Sequence, residues 1–300
     1  MNHFSRRQFL KTGGLALAGT SLALNRLSAI AGQYANVKHL GVQLWSVRED
    51  MKKDARGTIE ALAKMGYKEV EGFGYDPATS QIFGMHHTEF DKLLKDNGLS
   101  MPSSHFMIDA DSYDATKKEL TDLAKKAINT AANAGQKYII CPYVVEEKRT
   151  RIPELVKALN AAGQYAQKAG IKLGYHNHDF EFKISLDNRL MYEWLLQEVD
   201  PKLMVMEMDI YWVNFAWQDP LDWFKKYPGR FQLCHVKDLA KTEKRETIEV
   251  GDGVIPFADI FKQRQKAGLR YYIIELENYV TTPLKGVEKS RDYFVNKLKF

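Results

Sequence analysis

The chain has 300 residues, of which 45% are hydrophobic and 27% charged, and it carries two cysteines and a formal net charge of +5. Four basic residues and no acidic residue lie within positions 1–31, so the rest of the chain has a net charge of +1. This nearly neutral remainder gives no electrostatic basis for nucleic-acid binding, and two cysteines in apolar runs do not indicate a disulfide framework.

The first predicted element is an export signal. The stretch SRRQFLK at residues 5–11 precedes a weakly apolar run, which Asn25 and Arg26 interrupt and which is too short for a permanent membrane span. Residues 29–31 offer a small-x-small cleavage site. The pattern is typical of a twin-arginine signal over residues 1–31 and predicts a periplasmic or otherwise exported protein, with no stable membrane insertion after cleavage. An uncleaved anchor and an ordinary amphipathic helix stay open as alternatives.

The rest of the chain, residues 32–300, repeats one local pattern in which a helix end and a glycine precede an apolar run typical of a buried strand. The pattern occurs in AKMGYKEVE (63–71), ANAGQKYII (132–140), QKAGIKLGY (167–175) and QKAGLRYYI (265–273). A weaker copy at 95–106, and apolar runs at 39–45, 203–209 and 231–238, bring the predicted strands to eight. Amphipathic helical patterns separate them.

Strict alternation of strands and helices without a linker predicts an α/β fold, a single (β/α)8 TIM barrel formed by residues 32–300. A doubly wound open sheet is the alternative. The first strand–helix junction, QLWSVREDM, lacks the glycine-rich phosphate loop that such a sheet commonly has there.

Polar side chains follow the apolar runs, and a barrel gathers the carboxyl ends of its strands at one face, where the active site lies. The polar or aromatic strand-end residues are Gln43, Trp45, Glu69, Glu71, His105, His176, His178, Glu207, Asp209, His235, Lys237, Asp238, Glu275 and Glu277. Asp209, His235 and Glu275 end predicted strands six, seven and eight, which lie side by side in a barrel. Two carboxylates and an imidazole at one point predict an open site for a divalent metal ion.

Eight motifs carry a resemblance to a known family, and in chain order they are GVQLWSVRED, GYKEVEGFG, SSHF, GYHNHDFEF, MDIYWV, CHVKD, VGDGVIPF and YIIELEN. Together they resemble the xylose isomerase-like TIM barrels, specifically the sugar phosphate isomerase/epimerase group. The resemblance implies one divalent ion (Mn, Zn, Mg or Co) held by four residues from strands five to eight. Three of them match Asp209, His235 and Glu275. The fourth is commonly a glutamate; we prefer Glu181 here, with His176 as the alternative.

Such a site predicts a metal-dependent sugar isomerase or epimerase, which removes a proton next to a carbonyl and stabilises an enediolate. His178 and His176 are the expected acid–base residues and Lys237 the expected oxyanion or hydroxyl ligand, unless Lys237 forms a salt bridge to Asp238 or Glu277. The expected substrate contacts are Trp45, Glu71, His105 and Trp212. The aromatic members would pack on a sugar ring, unless they serve loop packing.

The export signal favours a neutral small-molecule sugar, keto-sugar or glycoside, because phosphorylated metabolites are kept in the cytoplasm. A lyase or hydratase of 3-keto-glycosides is the main alternative activity, since it begins with the same proton abstraction. A non-catalytic sugar-binding protein and an endonuclease-IV-like phosphodiesterase are further alternatives, disfavoured by the metal-type residue set and by the low net charge respectively. The sequence makes no prediction of oligomeric state.

Overall fold

The computed structural model describes residues 39–298. The predicted signal and its cleavage site lie outside this range, as do residues 32–38 of the predicted barrel domain. Among residues 39–298, no helix has the length and apolar character that a membrane crossing requires.

Eight parallel strands close into a barrel in sequential order, each pairing with its neighbours along the chain and the last pairing with the first. The strands are β1 (Leu40–Gln43), β2 (Glu69–Gly72), β3 (Ser100–His105), β4 (Tyr138–Cys141), β5 (Lys172–His176), β6 (Met204–Asp209), β7 (Phe231–Val236) and β8 (Tyr271–Ile274). The predicted (β/α)8 barrel is therefore confirmed, and the open doubly wound sheet is excluded.

Helices follow the strands. They are α1 (Arg48–Lys53), α2 (Ala55–Met65), α3 (His87–Asp96), α4 (Asp122–Asn133), α5 (Ile152–Lys168), α6 (Met191–Glu198), α7 (Ile210–Phe215), α8 (Pro220–Lys226), α9 (Phe257–Lys262), α10 (Arg264–Ala267) and α11 (Pro283–Lys297). Gly66 and Gly268 end α2 and α10 with φ angles of 93° and 88°, a left-handed conformation that glycine adopts without strain. The helix–glycine–strand pattern of the sequence is thus a set of helix caps leading into barrel strands.

The loops after the strands carry extra structure at the carboxyl-end face. Two-stranded hairpins pair Gln81–Ile82 with Met85–His86, Tyr113–Asp114 with Glu119–Leu120, Ser185–Leu186 with Arg189–Leu190, and Asp238–Leu239 with Thr247–Ile248. Short 3-10 turns occur at Leu44–Val47, Ala110–Ser112, Glu146–Lys148 and Phe180–Phe182. These additions build walls around the face where the polar strand ends converge.

The interior of the barrel changes from apolar to ionisable along β6, β7 and β8. Tyr138, Ile140, Val205, Leu233 and Ile273 form a buried apolar cluster. Side chains two positions apart share one face of a strand, so the faces that begin with Val205, Leu233 and Ile273 continue with ionisable residues. These continuations are Glu207 and Asp209, His235 and Lys237, and Glu275 and Glu277. The alternation that fills the core also directs the ionisable groups into the barrel mouth.

Candidate active site

Four side chains from adjacent strands meet in the barrel mouth. One ligand atom from each of His176, Asp209, His235 and Glu275 lies within 4.8 Å of the others, and all four residues are buried. The Nε2 atom of His176 is 3.2 Å from Nδ1 of His235 and 3.4 Å from Oδ2 of Asp209, and Nδ1 of His235 is 2.9 Å from Oε2 of Glu275. We call these four residues the upper group.

The hydrogen bonds around the upper group determine which atoms are free to bind an ion. Nδ1 of His176 donates to the carbonyl oxygen of Pro142 at 3.2 Å, so Nε2 keeps its lone pair. Oδ1 of Asp209 accepts the N–H of Trp212 at the start of α7, while Oδ2 is buried without a hydrogen-bond partner. Two imidazoles and two carboxylates around one point, with the lone pair of His176 Nε2 and the unpartnered Oδ2 of Asp209 directed into it, suit a divalent ion such as Zn²⁺ or Mn²⁺. The residues present therefore fit the metal ion that the sequence predicts.

Glu181 is not a member of the upper group, and His176 stands in its place. The Glu181 side chain is fully buried, and its Oε1 and Oε2 atoms accept the hydroxyl of Tyr175 at 2.8 Å and the N–H of His178 at 2.9 Å. Burial raises the pKa of Glu181 to about 8, so the group is largely neutral at pH 7. The structure does not support our preference for Glu181 as the fourth ligand, because both oxygens already have partners; its geometry favours the alternative, His176.

Lys237 lies beside the upper group, where its ammonium donates hydrogen bonds to Glu275 and Glu277 and forms a longer ion pair with Asp209. Its Nζ atom is 3.1 Å from Glu275, 2.5 Å from Glu277 and 3.5 Å from Asp209, and the residue is inaccessible to solvent. Burial alone would lower the pKa of Lys237, but Glu275, Asp209 and Glu277 outweigh it and raise the pKa. The expectation that Lys237 binds substrate is therefore not supported, because its ammonium is inaccessible and is engaged by these carboxylates. The alternative salt bridge to Glu277 is present, whereas the Asp238 carboxylate accepts the backbone N–H groups of Gly251, Gly253 and Ile255.

A second set of ionisable residues lies on the other side of the His235 ring. It consists of Glu71, His105 and Glu207, which with His235 form another compact His/Glu cluster. We call Glu71, His105 and Glu207 the lower group. Glu71 is inaccessible to solvent, which does not fit its expected contact with substrate. His105 is partly exposed and lines the cavity described next, so it stays a candidate contact.

A cavity of about 810 Å³ opens above the upper group. Its lining includes the predicted site residues Trp45, His105, His176, His178, Trp212 and Glu275. Aromatic side chains form much of the remaining wall: Phe73, Tyr75, Phe106, Tyr143 and Phe180. Cavities of this size hold drug-sized or smaller ligands, and flat aromatic rings suit the C–H faces of sugars.

His178 is the cavity imidazole that is free for proton transfer. Its ring packs against Tyr143 and Trp212, with ring centroids 5.0 and 5.2 Å away, and its buried Nδ1 atom has no hydrogen-bond partner. Burial first, and then the neighbouring His176 and Lys237, lower the pKa of His178 well below its ordinary value. The ring is therefore neutral at pH 7, which is the state a general base requires.

Glu207 and Gln43, which had no predicted role, take part in the site, as does Glu277, which was expected only as a possible salt-bridge partner of Lys237. Glu207 belongs to the lower group, Glu277 pairs with Lys237 and lines the cavity, and Gln43 donates from Nε2 to Oε2 of Glu71 at 2.8 Å. Strand alternation offered a signal for Glu207 and Glu277, since each shares a strand face with an assigned ligand, Asp209 and Glu275.

Comparison with known proteins places the chain among sugar-related barrels. Residues 59–297 match the family model described as the xylose isomerase-like TIM barrel. An inosose dehydratase of Clostridium perfringens is 26% identical in an alignment 174 residues long, gaps included, that covers 52% of this chain and 57% of that protein. The chain thus spans little more than half the length of this curated relative.

Solved structures give the same picture at the level of the fold. A sugar phosphate isomerase/epimerase from Parabacteroides distasonis is 29% identical, with a TM-score of 0.75 over 89% of this chain and 96% of that one. An IOLI protein with a bound zinc atom has a TM-score of 0.65 over 87% of this chain and 99% of that one, but at 13% identity it supports the fold alone.

Proposed function

Because this chain belongs to the xylose isomerase-like TIM barrel family, we propose that it is a divalent-metal-dependent sugar isomerase or epimerase. The observation that carries the proposal is the upper group, in which Nε2 of His176 and Oδ2 of Asp209 face each other at 3.4 Å beneath a large cavity. His176, Asp209, His235 and Glu275 would hold the ion. When bound, such an ion supplies Lewis-acid polarisation of a substrate carbonyl.

The chain's own residues would then move the proton. We assign His178 as the base that takes the proton next to the carbonyl, because its Nδ1 atom is unpartnered and its ring lines the cavity. Glu277 also lines the cavity and is held by Lys237, which makes it the candidate for returning a proton. Trp212 packs on His178 and would fix the plane of its ring.

The engagement of Arg149 supports a neutral substrate. Among the described lining residues, Arg149 is the one permanently charged cation, and three acids, Asp179, Glu275 and Glu277, accompany it. The guanidinium of Arg149 already donates to the carbonyl of Val144 and to the hydroxyl of Tyr143, and it stacks on Phe180 at 3.8 Å. Because this guanidinium is engaged within the cavity wall, it is poorly placed to bind a phosphate group, and we propose a neutral sugar, keto-sugar or glycoside.

A dehydratase or lyase is the second candidate, favoured by the similarity to inosose dehydratases. Removal of water or of an alkoxide from a keto-sugar begins with the same abstraction of a proton next to the carbonyl. The two candidates differ in what the enediolate then does: it is reprotonated at carbon, or it expels a β-substituent. The non-catalytic sugar-binding protein and the phosphodiesterase have no comparable support.

Exchange of substrate hydrogen with solvent tests both candidates. The protein loaded with Mn²⁺ or Zn²⁺ is incubated in D₂O with a panel of neutral sugars, inososes and 3-keto-glycosides, and NMR follows the products. Deuterium next to a carbonyl in an isomer or epimer supports the first candidate, whereas loss of water or of the aglycone supports the second. Absence of exchange with every member of the panel would rule out enediolate chemistry on these substrates.

We also propose that residues 1–31 direct export by the twin-arginine route. The support is the SRRQFLK stretch and the apolar run behind it. Replacing Arg6 and Arg7 by lysine is expected to retain the protein in the cytoplasm, and N-terminal sequencing of exported protein is expected to begin after residue 31. Export of the double variant at the normal level would contradict the proposal.

A further inference from the structure

The lower group lies directly against the ring of His235. Oε2 of Glu71 is 2.7 Å from Nε2 of His235, and Oε2 of Glu207 is 3.3 Å from the same nitrogen. His105 bridges the two carboxylates, with Nε2 at 3.1 Å from Glu71 and 3.0 Å from Glu207. Glu71 and Glu207 are inaccessible to solvent. A buried hydrogen-bond network therefore contacts the Nε2 edge of the His235 ring, which points away from the upper group.

The two groups use different nitrogens of one imidazole. Nδ1 of His235 faces His176 and Glu275, while Nε2 faces Glu71. An imidazole that donates its Nε2–H to a carboxylate presents the Nδ1 lone pair to a metal ion, and such a partner fixes both the tautomer and the ring orientation. We propose that Glu71 is the positioning residue that holds His235 in this form, with Gln43 and His105 holding Glu71 and with Glu207 holding His105 in turn. The inference rests on the proposed metal-dependent function.

The distances within the lower group favour hydrogen bonds over a second ion. The ligand atoms of a tetrahedral zinc site lie about 3.4 Å apart, because each is about 2.1 Å from the metal. Glu71 instead lies 2.7 Å from His235, 3.1 Å from His105 and 2.8 Å from Gln43, which are ordinary donor–acceptor distances. Each of these contacts can pair an N–H with Oε2 of Glu71, so hydrogen bonds account for this oxygen without a cation. Oε1 of Glu71 and Oε1 of Glu207 are buried without a hydrogen-bond partner, and the experiment below therefore includes a second ion among its outcomes.

The lower group would also increase the affinity of the upper group for a cation. Only Asp209 and Glu275 supply negative charge to the ion position within the upper group, and the Lys237 ammonium lies 3.5 and 3.1 Å from them. A carboxylate that accepts the Nε2–H of His235 makes the opposite nitrogen a stronger donor. Glu71 would thus strengthen ion binding through the ring without touching the ion.

A titration with Co²⁺ tests the positioning role, because its visible absorption reports the ligands and geometry of the bound ion. The variant Glu71→Gln keeps the shape of the side chain and removes the charge. Its matched control is Glu69→Gln: Glu69 is two residues earlier on the same strand face and bonds His39 at 2.6 Å, toward the other end of the barrel. We expect Glu71→Gln to weaken Co²⁺ binding about 10- to 100-fold and to change the visible spectrum, while Glu69→Gln behaves as wild type.

The other possible results separate a failure of the positioning role from a failure of the proposed metal site. Wild-type affinity and spectrum in Glu71→Gln would overturn the positioning role alone, whereas no Co²⁺ binding by the wild type would overturn the proposed metal site itself. Two Co²⁺ ions per wild-type chain, reduced to one in Glu71→Gln, would identify the lower group as a second metal site instead. If circular dichroism shows Glu71→Gln unfolded, Glu207→Gln replaces it: weaker Co²⁺ binding supports the network, and unchanged binding overturns it.

Discussion

Nε2 of His176 lies 3.2 Å from Nδ1 of His235, where β5 and β7 open into the barrel mouth. The proton of His176 is on its other nitrogen, which faces the carbonyl oxygen of Pro142. Burial and then the nearby His235 lower the pKa of His176, so its ring is neutral and its Nε2 lone pair is free. With Glu275 and Asp209 beside them, the two nitrogens are placed to share a cation.

The first prediction separates the two candidates for the fourth metal ligand. Replacing His176 by alanine removes an inward lone pair, so Zn²⁺ affinity should fall by more than the roughly 10- to 100-fold typical of indirect partners. Replacing Glu181 by glutamine should leave affinity near wild type, because Glu181 bonds Tyr175 and His178 instead. Competition with a chromophoric chelator measures both. The reverse ranking would restore Glu181 as the ligand.

The sequence predicts the barrel and three of the four upper-group residues for a simple physical reason. Parallel strands end at one face, so the residue type at each apolar run's end reveals what that face contains. Asp209, His235 and Glu275 could be assigned in this way. Strand β5 was ambiguous because His176 ends the strand while Glu181 follows in a 3-10 turn, and the path of a loop does not follow from alternation.

Depth within the barrel could not be predicted from one sequence. Alternation states which face of a strand a side chain occupies, but the tilt of the strands decides its height in the barrel. Glu71 was expected to meet substrate, yet it lies under His235, because Gln43 on β1 is its register partner and the two side chains bond inside the barrel. The role of Glu207 likewise depends on its approach to His105 across the barrel.

The second prediction concerns the base. Replacing His178 by asparagine should reduce substrate proton exchange about 10²- to 10⁴-fold, which is the usual contribution of a general base. Bound metal should stay at the wild-type level, because His178 is not a member of the upper group. The exposed His86→Asn variant is the control. NMR in D₂O and metal analysis give the two readouts; parallel loss of metal and exchange would mean that His178 acts through the metal site.

The third prediction follows from the buried cation. Replacing Lys237 by methionine removes the positive charge that neutralises Glu275, Glu277 and Asp209. Because breaking a buried ion pair costs about 3–5 kcal/mol, the free energy of unfolding should fall by about this amount. Mn²⁺ should restore part of this lost stability, because its positive charge would neutralise the carboxylates of Asp209 and Glu275. Urea unfolding with and without Mn²⁺ measures both effects.

The control for this prediction is Lys226→Met. Lys226 pairs with Glu193 at the surface, with about half of the lysine side chain exposed. Surface ion pairs contribute roughly 0–1 kcal/mol, so this variant should unfold nearly as the wild type does and should gain nothing specific from Mn²⁺. Equal destabilisation by the two substitutions would contradict a special role for the buried ammonium.

The environment of Glu181 makes stability depend on pH. Burial raises its pKa from 4.5 to about 8 in the folded protein. Between these values the folded chain holds a proton that the unfolded chain has lost, so the contribution of this group to stability falls as pH rises. The slope is at most about 1.4 kcal/mol per pH unit, and the loss is complete only above pH 8, once the folded group also ionises.

The fourth prediction is that Glu181→Gln removes this dependence. The amide can accept the N–H of His178 and donate to the hydroxyl oxygen of Tyr175, so both contacts of the neutral carboxyl group are retained. In urea unfolding at pH 5, 6, 7 and 8, the variant should gain stability relative to wild type at each step, with the largest advantage at pH 8. The exposed Glu198→Gln is the control and should follow the wild-type curve. A constant difference between Glu181→Gln and wild type would mean that Glu181 is already ionised in the folded protein at pH 5, because only a proton held by the folded state alone makes the difference grow with pH.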